Sequence, residues 1–228
     1  MPPSPADAFL TSIPLFSHLA PAELRRFAEV THEQRYARGS AIVSEDDPGD
    51  SLFIVRTGRV KVVLVAEGGR EVILGVLGPA EYFGELSLID GQPRSANVIA
   101  LEDATLLVLR RDDFRERVEA TPALAWALLT ELSRRLRHAD GKIGGLALLD
   151  VPARIARLVI EVSADGATDA DTRPLTHQMI AQMIGASRET VSRALRDFEA
   201  AGWIEVERRR IRVRDRAALT ARAELSAP

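Results

Sequence analysis

From residue 39 to residue 110 the chain is a succession of short β-branched runs stopped at glycines, and this rhythm narrows the possible folds more than any other feature. Ser40 to Ser44, Ser51 to Val55, Val60 to Val65, Glu71 to Leu77, Ala96 to Leu101 and Thr105 to Leu109 read as strands. Gly39, Gly49, Gly58, Gly68, Gly69, Gly75 and Gly78 lie between or at the ends of them, and Gly68-Gly69 suits a hairpin turn. Many short strands with regular turns predict a small antiparallel barrel or jelly roll, entered through a helix around Pro21 to Val30.

One stretch breaks the rhythm. Gly84-Glu85-Leu86-Ser87-Leu88-Ile89-Asp90-Gly91-Gln92-Pro93-Arg94-Ser95 places a helix start, a carboxylate and a guanidinium within a span that can wrap a single phosphate. Gly84 permits close backbone approach, and the helical turn it opens offers N–H groups to an anion. Arg94 adds a fork-shaped, permanently charged partner for phosphate oxygens, and Ser95 adds a hydroxyl donor. Glu85 is misplaced beside a bare phosphate but suits a sugar hydroxyl, so the stretch predicts a pocket for phosphate and ribose together. The plainer alternative is a surface turn in which Glu85 and Arg94 form a solvated ion pair of little energetic weight.

From Thr121 to Asp150 the period becomes helical. Ala125, Leu129, Leu132, Leu136, Ala139, Ile143 and Leu146 alternate in steps of four and three, a heptad seam. Such a seam packs either on its own barrel or on a second copy. The polar flanks at Ser133, Arg134, Arg137 and His138 narrow the stripe and favour a homodimer. Gly141, Gly144 and Gly145 weaken the end of this helix by roughly 1 kcal/mol each relative to Ala, which suggests a hinge.

A helix over Pro152 to Val162 and a polar linker over Ser163 to Arg173 lead to the second informative constellation. Thr176 caps a helix through Ile184, Gly185 makes the turn, and Ser187 caps a helix through Ala201. Ala181, Gly185 and Val191 supply the small residue, the left-handed turn and the core anchor of a helix-turn-helix. Ile204-Glu205-Val206 and Arg209-Arg210-Ile211-Arg212-Val213 read as a two-stranded wing. Arg188, Glu189 and Arg193 suit base edges in a major groove, since arginine meets guanine O6 and N7 and a carboxylate accepts from cytosine N4. Ser187, Thr190, Ser192, Arg208, Arg209 and Arg210 suit phosphates. The alternative is a helical hairpin with a solvated charged face.

Charge supports the division. The net charge is −3, yet residues 176–228 carry ten Arg against seven Asp plus Glu, a balance of +3, which leaves −6 for the remainder. A basic C-terminal part joined to an acidic N-terminal part fits a DNA reader coupled to a sensor. The chain has no cysteine, which excludes disulfides and thiolate metal sites. His18, His32, His138 and His177 lack metal-ligand spacing, so no metal is expected. Met1 to Pro21 has neither a basic start nor a sustained apolar run, so no signal or membrane helix is expected and the location is read as cytoplasmic. An enzyme hydrolysing a bound nucleotide is the rival of another class, but Glu85 is a lone carboxylate there and no catalytic role is assigned to any residue.

The order Gly-Glu-Leu followed by Arg-Ser-Ala resembles the phosphate-binding cassette of cyclic-nucleotide-binding domains. Ser187-Arg188-Glu189-Thr190-Val191-Ser192-Arg193, with the exit Leu146-Ala147-Leu148-Leu149-Asp150-Val151, is similar to the CRP/FNR family of bacterial transcription regulators over nearly the whole chain. The resemblance implies an α+β chain: a β-roll over residues 1–120, a dimerisation helix over 121–150 and a winged helix-turn-helix over 151–228. It implies Gly84, Glu85, Leu86, Arg94 and Ser95 as holders of the cyclic phosphate and ribose. Arg135 and Asp140 would come from the long helix. Ser187, Arg188, Glu189, Thr190, Arg193 and Arg209 would meet DNA.

It also implies a homodimer on a palindrome of TGTGA-like half-sites, with RNA polymerase as a further partner. Where relatives offer two hydroxyls to the adenine, this chain has Ala139 and Asp140. Ala139 makes no hydrogen bond and Asp140 only accepts, from an adenine amino group or a guanine edge, unless it is simply a solvent-facing residue. Cyclic AMP is the first choice of effector, with cyclic GMP and cyclic di-GMP as rivals.

Overall fold

The computed structural model describes residues 9–17, 19–164, 175–207 and 210–224. The chain divides into two compact units, Met1–Arg135 and Leu136–Pro228. In the first unit a 3-10 turn (Pro14–Phe16) precedes helix α1 (Pro21–Val30), which begins at a proline whose missing N–H is no loss in a first helical turn. Eight strands follow: β1 (His32–Tyr36), β2 (Ala41–Val43), β3 (Ser51–Thr57), β4 (Val60–Val65), β5 (Glu71–Leu77), β6 (Tyr82–Phe83), β7 (Asn97–Ala100) and β8 (Ala104–Arg110). They form two antiparallel four-stranded sheets, ordered β1-β8-β3-β6 and β2-β7-β4-β5.

The period of two along β3 and β8 explains why their sequences are apolar almost without interruption. Leu52 and Ile54, with Leu107 and Leu109, enter a core shared with Phe16, Leu24 and Phe27. Phe53 and Val55, with Leu106 and Val108, enter a second core with Val60, Phe83 and Val98. Both faces of these central strands are therefore buried. By contrast, β1 is an edge strand paired only with β8, and its His-Glu-Gln-Arg run is exposed, so it carries no hydrophobic alternation to announce it.

Helix α2 (Glu85–Asp90) interrupts the strands between β6 and β7, and α3 (Arg111–Ala120) follows β8. The long helix α4 (Pro122–Leu148) divides its side chains between two surroundings. Leu124 and Leu128 are buried in the core of the first unit. The heptad seam points elsewhere, with Leu129 at 56%, Leu136 at 63% and Ile143 at 65% exposed. No helix among the described residues is long and apolar enough to cross a membrane.

In the second unit α5 (Val151–Ala164), α6 (His177–Ile184), α7 (Arg188–Ala200), β9 (Ile204–Glu207), β10 (Arg210–Val213) and α8 (Arg216–Glu224) surround one core. Ile155, Ile180, Val191, Leu195, Phe198, Ile204 and Leu219 fill it. Asp150 starts α5 by accepting from the Ala153 N–H at 2.8 Å, while Arg222 of α8 reaches its other carboxylate oxygen at 2.6 Å. A Cβ at Gly141 would lie 3.0 Å from the flexible end of Arg157, at Nη2, and α4 remains helical through all three of its glycines.

Gly49 is a similar case in the first unit, because a Cβ there would meet Ser87 Cβ at 2.3 Å. Gly49→Ala should therefore lower stability by about 1–3 kcal/mol through overpacking. Gly69→Ala has a left-handed backbone but nothing within 4 Å of its Cβ, so it should lose only about 1–2 kcal/mol from backbone strain. Scanning calorimetry of the two variants checks both, with Gly49→Ala also perturbing the Ser87 and Arg94 surroundings in NMR spectra.

Candidate functional site

Strand β6 delivers the chain to Gly84, whose φ of +88° admits the sharp entry into α2, and Gly91 at +73° ends the helix. The backbone of Arg94 is then fixed by the loop before β3, donating to Asp47 O at 2.9 Å and accepting from Asp46 N at 3.0 Å. Its guanidinium turns inward, 5% exposed, and donates to Gly84 O at 3.0 Å and Ser51 O at 2.9 Å. It also lies over the Phe53 ring, 5.6 Å from the centroid. Burial lowers its pKa, with the charges of Asp50, Glu85 and Asp47 acting in the opposite direction and Arg111 in the same one. A buried guanidinium that donates to two neutral carbonyls suits an anion as a charge-assisted partner.

Glu85 is 3% exposed. One carboxylate oxygen accepts from Arg135 Nη1 at 2.9 Å, while the other is buried with no hydrogen-bond partner among the described residues. Burial raises the Glu85 pKa, with Arg135 acting in the opposite direction. Arg135 itself is tied to α4 through Glu131 at 2.8 Å, to the Tyr82 carbonyl at 2.8 Å, and to the Tyr82 ring. The cluster thus offers one guanidinium for an anion and one orphaned oxygen for a hydroxyl donor.

The structure brings Gly84, Glu85, Arg94 and Arg135 together. It adds Ser87, a buried hydroxyl that donates to Pro93 O at 3.3 Å and that the sequence pattern did not single out. Its signal was available in hindsight, since a small polar residue in the first turn of α2 faces the Gly49 loop. Leu86 and Ser95 are exposed. Asp140 lies on the part of α4 that belongs to the second unit and is exposed there.

In the second unit, Thr176 accepts from Met179 N at 3.1 Å and Ser187 from Thr190 N at 3.2 Å, so both helices of the motif carry the expected caps. Gly185 takes φ +66° and donates to Ala181 O. Val191, Ala194, Leu195 and Phe198 bury one face of α7. Arg188, Glu189, Arg193 and Arg196 stand exposed on the other. Glu189 has its pKa lowered first by a backbone hydrogen bond at the helix start and then by Ser187. Arg208 and Arg209 lie outside the described residues.

Residues 33–121 match the model of the cyclic nucleotide-binding domain, and residues 153–222 match that of the Crp-like helix-turn-helix domain. A CRP-like cAMP-activated global transcriptional regulator of Mycobacterium tuberculosis is 33% identical over 95% of this chain and 99% of its own length. The chain belongs to the CRP/FNR family of transcription regulators. A cyclic AMP receptor protein of Thermus thermophilus is 34% identical over 90% of this chain and 94% of its own. Among solved structures, FixK2 from Bradyrhizobium japonicum superposes with a TM-score of 0.78 at 25% identity, covering 87% of this chain and all of that one (100%). The β-roll, long helix and helix-turn-helix of this regulator are those of its family, and it is a cyclic nucleotide-binding, DNA-binding transcription regulator.

The buried carboxylate has a consequence for stability. Because the fold raises the Glu85 pKa, it favours the protonated form, so this contribution to stability is present at low pH and lost as pH rises through the raised value. Glu85→Gln should therefore melt higher than wild type at neutral pH, with the difference vanishing below the ordinary carboxylate range. Calorimetric scans across that pH series measure it, and an equal or lower midpoint for the variant at neutral pH would contradict the direction.

Proposed function

We propose that this regulator is a homodimer whose affinity for a TGTGA-like palindrome is set by a cyclic nucleotide, cyclic AMP first among the candidates. The observation that carries the proposal is the buried Arg94 guanidinium, which donates to the Gly84 and Ser51 carbonyls, next to a Glu85 oxygen with no donor among the described residues. A cyclic phosphate supplies the anion and its ribose supplies the hydroxyl, so the two deficits fit one ligand. Arg94 would hold the phosphate, Glu85 the ribose, and Gly84 the close backbone approach, with Leu86 and Ser95 at the exposed rim. That the two relatives named above are described as cAMP-activated and as a cyclic AMP receptor supports the choice of base.

Arg135 connects this site to the dimer reading. It bonds Glu85 and is followed directly in α4 by Leu136, whose exposed side chain belongs to the heptad seam. Exposed apolar residues at heptad spacing support pairing with a second copy. Occupancy would shift the balance between arrangements of the paired helices and thereby the presentation of α7 to DNA. In that presentation Arg188, Glu189 and Arg193 would read base edges, while Ser187, Thr190 and Arg209 would meet phosphates. Asp140 favours no base uniquely, which keeps cyclic GMP and cyclic di-GMP as competitors, and RNA polymerase is the expected downstream partner.

Titration calorimetry with the three nucleotides should give cyclic AMP the tightest binding, and a clear preference for a guanine nucleotide would replace it as effector. Chromatography of the nucleotide after incubation separates a binder, which returns it intact, from a hydrolase. Arg94→Ala should abolish nucleotide-stimulated DNA binding in a folded protein, and Glu85→Ala should weaken nucleotide affinity. Arg188→Ala should cost about 1–3 kcal/mol and relax specificity at one base pair. Equal weakening on every duplex would remove the base-reading role.

A further inference from the structure

The second unit carries a surface cavity of about 230 Å³, away from the cassette and from the exposed arginines of α7. Pro152 at the start of α5, Ala194, Asp197 and Phe198 of α7, Trp203 beyond that helix and Arg222 of α8 line it. All six belong to the same compact unit, so the cavity is complete within it. Pockets for drug-sized molecules run to roughly 300–1,000 Å³, so the occupant here is a smaller molecule.

Most of the wall is apolar, and its aromatic part is fixed: the Phe198 and Trp203 rings pack with centroids 5.2 Å apart and planes tilted by 33°. The other two lining residues carry opposite charges. Arg222 donates through Nη2 to Asp150 Oδ2 at 2.6 Å, whereas its Nη1 is buried with no hydrogen-bond partner among the described residues. Asp150 cannot readily answer it, because its other oxygen already accepts from the Ala153 N–H. Asp197 is exposed, and its carboxylate is an acceptor at the rim.

These groups select among ligand classes. A simple carboxylate answers Arg222 but meets the like charge of Asp197. A simple amine answers Asp197 but brings a second cation to Arg222, and a neutral apolar molecule answers neither. A zwitterion with an apolar side chain satisfies both charges and the aromatic wall. We infer that the cavity binds a free α-amino acid with an apolar side chain, its carboxylate on Arg222, its ammonium on Asp197 and its side chain against Phe198 and Trp203. Such a ligand ties α7 and α8 to the start of α5, and it does so whichever nucleotide occupies the cassette.

The test titrates the full-length protein with L-phenylalanine and with three compounds that each lack one feature: N-acetyl-L-phenylalanine the ammonium, L-phenylalanine amide the carboxylate, and L-serine the apolar side chain. Calorimetry and the indole N–H resonances of the two tryptophans follow binding. L-Phenylalanine should bind saturably at millimolar concentration or below and shift the Trp203 resonance while that of Trp126 stays in place. The other three should bind severalfold more weakly. Asp197→Asn, a change on an exposed side chain, should weaken L-phenylalanine severalfold and leave N-acetyl-L-phenylalanine unaffected. Arg222→Lys keeps a cation for Asp150 but removes the second donor, so it should weaken L-phenylalanine severalfold and leave the amide unaffected. Comparing two ligands on the same folded variant separates this loss from any change in stability. The inference is overturned by the absence of a saturable Trp203 shift, by equal affinity for all four compounds, or by variants that bind L-phenylalanine as wild type does.

Discussion

The inward turn of Arg94 is the constraint around which the first unit is arranged. A guanidinium removed from water needs acceptors, and the fold supplies Gly84 O from the helix entry and Ser51 O from the start of β3. Those two carbonyls belong to different parts of the chain, so the sheet must be closed before both acceptors are in place. The same geometry explains two glycines. A Cβ at Gly84 would lie 2.6 Å from Arg94 Nη1, and one at Gly49 would lie 3.1 Å from Arg94 Cζ as well as against Ser87. The backbone is thus shaped around a charge that the hydrophobic core alone would reject.

Glu85 and Arg135 extend that arrangement from the sheet to the long helix. Their contact is short and largely out of water, so helix and cassette constrain one another's side chains. Helix α4 can serve this role because its faces are chemically distinct: Leu124 and Leu128 anchor it to the sheet core, Arg135 meets the cassette, and Leu129, Leu136 and Leu146 of the seam stay exposed. At its far end, α4 is answered by a different set of fixtures. Asp150, just beyond it, starts α5, and Arg222 from the last helix holds that aspartate.

Legibility in the sequence followed the strength of local signals. β4 and β5 begin and end where the residue pattern places them, because β-branched runs bounded by glycines leave little choice. The helix-turn-helix was equally readable, since Thr176, Gly185 and Ser187 are capping and turn residues whose roles are local. Strand β1 and helix α3 were not. β1 is polar and lies at an edge, and α3 carries only Phe114 fully into the core, so neither has the periodicity that local reading requires. Helix α8 escaped for a related reason: Leu219 is its buried anchor, and Arg222 looks like a solvated residue until Asp150 is seen beside it.

What the sequence alone determined was the chemistry on offer: a carboxylate and a guanidinium nine residues apart across a glycine-opened turn, a heptad stripe, and two capped helices with basic residues between apolar ones. These follow from backbone conformational preference and from side-chain period, both of which act over a few residues. Tertiary structure decided which of those groups left water and which partners they met. Glu85 and Ser87 became buried, Leu86 and Ser95 stayed outside, and Arg135 crossed fifty residues of sequence to reach the cassette. Burial and long-range ion pairing depend on the closure of sheets whose strands are distant in the chain, and no local pattern encodes that closure.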